Sequence, residues 1–101
     1  MLLVERDISG CLEAAMEVRV VDRLGQMAPA GTYLWIEQFE VSEGTEMKDV
    51  LARLIQQLDT LLPQIRQVYW VRRDKTGKRL HTYNRTRLVS WARKELERCY
   101  C

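Results

Sequence analysis

Three groups of residues could carry chemistry. The densest is basic: Arg72, Arg73, Lys75, Lys78 and Arg79 fall within one short stretch. Such a patch can hold an anionic partner through charge-assisted hydrogen bonds. The second is a single carboxylate, Glu37, set among the aromatic residues Tyr33, Trp35 and Phe39. A carboxyl flanked by rings can be raised in pKa and act as a proton-transfer group, and its rival role is to pair with an arginine on a neighbouring strand. The third is the run Ser42-Glu43-Gly44-Thr45-Glu46, where a strand gives way to a helix. Backbone N–H groups at Gly44 and Thr45 could cradle an anion there, helped by the helix dipole. Glu43 and Glu46 oppose a pyrophosphate, and an ordinary capped helix accounts for the same residues.

Other constellations are weaker. His81 is the only histidine. It falls in the basic stretch, reads as a solvated strand residue, and leaves no hydrolytic triad to assemble. Cys11, Cys99 and Cys101 are odd in number, and a C-x-C pair bridges only in a strained ring. Free thiols in a reducing, cytoplasmic setting are expected, with no metal site and a frayed tail at about residues 99–101.

The 101 residues are 47% hydrophobic and 30% charged, which predicts one globular domain over 1–101 and excludes a disordered or fibrous chain. No apolar run reaches the ~20 residues of a membrane span. The net charge of +2 conceals a split. Residues 1–62 carry five Lys/Arg against eleven Asp/Glu, and residues 63–101 carry eleven against three. A basic C-terminal region suits an acidic protein, a nucleotide-like cofactor or nucleic acid, unless the two halves neutralise one another within the fold.

These residues need elements to position them. Met47, Val50, Leu51, Leu54, Ile55, Leu58, Leu61 and Leu62 make one broad stripe, predicting a helix over about 46–62, capped by Thr45 and stopped by Pro63. Residues 32–41 read as a strand with Tyr33, Trp35, Phe39 and Val41 on one face and Leu34 and Ile36 on the other, which predicts a central strand covered on both sides. Residues 67–72 and 78–83 flank Asp74-Lys75-Thr76-Gly77 as a hairpin, with Gly77 at positive φ. A last helix is expected at about 86–98, with Leu88, Val89, Ala92 and Leu96 inward and Asn84 or Thr86 as cap. At the start, Ile8, Cys11, Leu12, Ala15 and Met16 have helical spacing, which favours a helix from about residue 7 toward Leu24. The competing strand reading rests on the β-branched content of residues 17–21. The expected fold is α+β, in the order α-β-α-β-β-α, with a single small sheet and helices packed on it.

The run Leu34-Trp35-Ile36-Glu37-Gln38-Phe39, then Gly44, then an amphipathic helix, then Val68 through Lys78, resembles the C-terminal half of the RTX toxin-activating lysine acyltransferases. These are divergent relatives of the GNAT acetyltransferases, and residues 32–83 cover the shared order. The resemblance implies a GNAT-like core that moves an acyl group from acyl-CoA or acyl-carrier protein to a lysine, or only binds the acyl donor. It implies that Glu37 stands where the family has an essential aspartate. The family's histidine has no counterpart, because His81 does not match it, so an enzyme and a non-catalytic derivative are both implied.

Two other classes stay open. An RRM-like sheet could stack bases on Trp35, Phe39, Trp70 and Tyr83, although residues 77–83 do not match the aromatic-rich RNA-binding pattern. A small interaction module, such as a phage or mobile-element inhibitor of a host factor, is the third.

Overall fold

The computed structural model describes residues 1–75 and 77–100, without the side chains of Asp74, Cys99 and Tyr100. The expectations placed on the Cys99 and Cys101 thiols and on residue 101 of the tail therefore lie outside the described residues. In chain order the elements are β1 (Leu2–Arg6), β2 (Leu12–Val21), β3 (Tyr33–Val41), α1 (Met47–Leu61), β4 (Gln67–Asp74), β5 (Gly77–Asn84) and α2 (Arg85–Tyr100). One five-stranded sheet runs in the order β1-β2-β3-β4-β5. Only β3 and β4 pair in parallel, and the other neighbours are antiparallel.

The α+β class and the packing of the helices on a single sheet match expectation. However, β3 is covered by helices on one side rather than both, because α1 and α2 share a face, and the N-terminal helix does not exist. Residues 2–21 form a β-hairpin instead. Ala14, Met16 and Val18 are buried while Glu17 and Arg19 are exposed, a period of two that only a strand satisfies. Ile8, which helped suggest the helix, stands fully exposed in the turn. Asp7 builds that turn: its Oδ1 accepts from the N–H groups of Ser9 and Cys11 and from the Ser9 hydroxyl. The Ser9 hydroxyl and the Cys11 N–H are the main reasons its carboxyl lies below the usual aspartate value.

Both helices lie on one face of the sheet. Val50, Leu54 and Leu58 of α1 join Leu3, Met16, Val18, Leu34, Ile36 and Val68 in the main core. Its next face carries Ala52 and Ile55, which meet Ala92 of α2. Two alanines at this crossing let the helices approach closely. Asn84 Oδ1 caps α2 by accepting from the Thr86 N–H at 2.8 Å, as expected. α1 behaves differently: its N-cap is Glu46 rather than Thr45, and no side chain caps it.

An ion cluster anchors α1 to the hairpin. Arg53 donates to Glu5, Glu13 and Asp49 at 3.0–3.2 Å. Partial burial opposes its charge, but the Glu13 hydrogen bond and the three carboxylates outweigh that and raise its pKa. Gly31 has a packing reason: a Cβ there would lie 2.3 Å from the Val21 carbonyl oxygen.

Candidate functional site

The feature that shapes the candidate site is a short seam. β3 and β4 pair over four residues only, from Tyr33 with Gln67 to Ile36 with Trp70. Beyond that point β3 continues to Val41 beside β2, while β4 continues to Asp74 beside β5. The two strands therefore part after Ile36, earlier than the end of β3. The crotch of the split lies at Ile36 and Trp70, and on the helix side Phe39 leans edge-on to Trp70, ring centroids 5.7 Å apart.

A β-bulge sits at the same place. Val18 pairs with Ile36 and Glu17 pairs with Gln38, so Glu37 is the extra residue. An inserted residue reverses the side-chain alternation beyond it. Leu34 and Ile36 face the helices before the bulge, and Phe39 and Val41 face them after it. The expected shared face of Tyr33, Trp35, Phe39 and Val41 is thus broken in two. Glu37 itself is exposed on the side away from the helices and forms an ion pair with Arg19 of β2. The structure places the expected rival partner, an arginine of the adjacent strand, on that carboxylate.

On the helix side the split leads into a groove of ≈ 360 Å³. Trp70 and Tyr83 of the β4–β5 ribbon form its floor, Leu51 and Ile55 of α1 one wall, and Leu88 and Trp91 of α2 the other. Three cations border it: Lys48, Arg72 and Arg87. Arg72 lies 5.1 Å from the Trp70 ring centroid and donates from Nη1 to the Tyr83 hydroxyl at 3.0 Å. Its guanidinium is held between a ring face and a phenol, a fixed fork suited to a carboxylate or phosphate. His81 stacks on Tyr83 with centroids 6.2 Å apart.

The first turn of α1 stands at one end of this groove, through Met47 and Lys48. Its opening N–H groups have no intrahelical partner, the first such bond being Val50 N–H to the Glu46 carbonyl at 3.3 Å. Gly44 has φ +84° and leads the chain into this turn. The Thr45 N–H is already committed to the Ser42 carbonyl at 3.1 Å. An anion at this end would therefore meet the donors of Met47 and Lys48 rather than that of Thr45.

The basic hairpin is not one patch. By the antiparallel register, Arg72 and Arg79 lie on the helix face, Arg73 and Lys78 lie on the other, and Lys75 is exposed at the turn. Lys48 and Arg87 were missed in the sequence because both sit on helices remote from the basic run. A signal existed in Arg87, one residue before the apolar Leu88.

No family model matches the chain, and no curated protein matches it. Among solved structures it is similar to a GNAT-like decarboxylase, GphF, in complex with isobutyryl-CoA, with a TM-score of 0.52 and 17% identity. The fold is GNAT-like. The match covers 69% of this chain and 43% of that one, so this GNAT-like chain spans less than half the length of its structural neighbour. No helix of the described residues is long and apolar enough to cross a membrane.

Proposed function

We propose that this GNAT-like chain binds an acyl thioester, acyl-CoA or acyl-carrier protein, in the groove between its two helices. The observation that carries the reading is the split after Ile36 and Trp70, which opens beside an uncapped helix start and leads to an aromatic-floored groove bordered by cations. An acyl or pantetheine chain would lie on Trp70 and Trp91, where burial of apolar surface contributes most. Phosphate oxygens would meet Arg72, Arg87, Lys48 and the first N–H groups of α1. The acyl-CoA in the structural neighbour supports the ligand class.

Donor binding is favoured over acyl transfer to a lysine. Transfer requires a group that takes the proton from the attacking amine. Glu37, the sequence candidate, is engaged by Arg19 on the face of the sheet opposite the groove. The test is a titration of the protein with acyl-CoA of several chain lengths, followed by melting temperature and calorimetry. A saturable rise in melting temperature is expected. It should be lost in the pair Arg72→Glu and Arg87→Glu and kept in Glu37→Gln. No shift with any acyl-CoA or acyl-carrier protein would overturn the reading.

A further inference from the structure

The second face of the sheet carries no helix. Both helices pack on the face of Leu34, Ile36 and Val68, so no helix covers the residues of opposite alternation. Val21, at the end of β2 beside Met27 and Gly31, is buried, and the rest of that face is half-buried or exposed. At the centre of that bare face are three half-buried rings, Tyr33 and Trp35 of β3 and Tyr69 of β4. Tyr33 stacks on Tyr69 at 5.7 Å and Trp35 lies 6.2 Å from it. Val71 and Leu80, paired across β4 and β5 on the same face, are 41% and 55% exposed. Isolated apolar residues on a surface need no partner, but a contiguous aromatic and aliphatic patch on an open sheet does.

The charges around this patch say what fits it. On the β2–β3 side the bare face carries Glu17 and Glu40, each exposed, with Glu37 already neutralised by Arg19. On the β4–β5 side it carries Arg73 and Lys78, also exposed and paired with each other in the register. The two groups lie on opposite sides of the split between β3 and β4. A two-fold axis parallel to the strands, lying over the β3–β4 seam midway between two stacked copies of the sheet, exchanges the two sides. It sets Glu17 and Glu40 of one chain against Arg73 and Lys78 of the other, and stacks the ring cluster on its own copy. Aligned packing of two sheets in this way is a common arrangement, and a two-fold contact must be self-complementary. A single-stranded nucleic acid would also use the rings, but the carboxylates on the same surface repel its phosphates.

We propose that the bare sheet face is a homodimer interface, in which a second copy of this chain covers the Tyr33–Trp35–Tyr69 cluster and the acidic and basic sides pair across the two-fold axis. The acyl-donor groove lies on the other face, so this interface is independent of donor binding.

Sedimentation equilibrium over a wide concentration range, at low and high salt, tests it. The expected result is a reversible dimer of twice the chain mass that weakens as salt rises. Reversal of one side in Arg73→Glu with Lys78→Glu should weaken the dimer by about tenfold or more. Adding Glu17→Lys and Glu40→Lys to the same chain should restore it, a rescue that loss of folding cannot mimic. Leu80→Asp, at an exposed edge position, should give a folded monomer with unchanged helix content by circular dichroism. A chain that stays monomeric at all concentrations overturns the proposal. So does a monomer that binds a labelled oligonucleotide with steep salt dependence, which would assign the face to nucleic acid. A dimer indifferent to both the charge reversal and Leu80→Asp overturns it as well.

Discussion

The two faces of the one sheet are built on opposite terms. The helix face buries aliphatic side chains completely: Met16, Leu34, Leu54 and Val50 have no exposed surface. The other face leaves its aromatic rings half exposed and its charges in solvent. The same strands, with side chains alternating between the faces, supply both. The covered face therefore fixes the fold, and the bare face is available for association. At the split after Ile36 the helix side itself opens into the groove over Trp70.

Substitutions separate the two faces. Leu54→Ala, in the centre of the covered face, should cost roughly 3 kcal/mol in urea unfolding, through lost burial and the cavity left behind. The loss should be the same at every protein concentration. If Leu54→Ala instead cost no more than Leu61→Ala, at an exposed position of the same helix, the distinction between the faces would fail. Arg53→Met comes next. It leaves Glu5, Glu13 and Asp49 facing one another without their common partner, at a cost of roughly 1–2 kcal/mol. High salt should shrink that difference, and a salt-independent loss would point to packing of the stem rather than charge.

Gly44→Ala should cost about 1 kcal/mol, because a side chain is strained at its positive φ. A Cβ there meets nothing within 4 Å, so crowding adds nothing to that cost. Equal stability in Gly44→Ala would show that the turn into α1 rearranges without penalty. The smallest effect is local. The Asp7 carboxyl lies below its ordinary value, so the turn it holds is fully stabilised above the usual carboxylate range. That contribution is lost as pH falls through the lowered value. Amide exchange at Ser9 and Cys11 should accelerate in acid before the core amides respond, and Asp7→Asn should remove most of that pH dependence.

Much of this was legible in the sequence, for identifiable reasons. The α1 stripe, the β4–β5 hairpin and the α2 cap each depend on neighbours a few positions away, and local spacing reports them directly. The first hairpin was obscured because Ile8, Cys11, Leu12, Ala15 and Met16 fall at helical spacings of three and four, although only Met16 of them is buried. Only the buried series from Ala14 to Val18 separates strand from helix. The bulge at Glu37 could not be read from spacing. An extra residue is defined by the partner strand, and Glu17 and Val18 lie some twenty positions away. For the same reason four aromatic residues assigned to one surface divide between two: Trp35 faces away from the helices, while Phe39, Trp70 and Tyr83 pack toward the core. The groove was half legible. Arg72 was found as part of a basic run, but Lys48 and Arg87 join it only after α1 and α2 fold over the β4–β5 ribbon.

The four-pair seam between β3 and β4 also bears on how the chain reaches its native state. The two antiparallel parts, β1–β2–β3 and β4–β5, pair between chain neighbours, whereas Tyr33 must find Gln67 across the whole of α1. Loop closure over such a distance is entropically slow. Two preformed parts therefore meet late, with α1 as the tether, and residues on either side of the seam should influence the rate of unfolding more than the rate of folding.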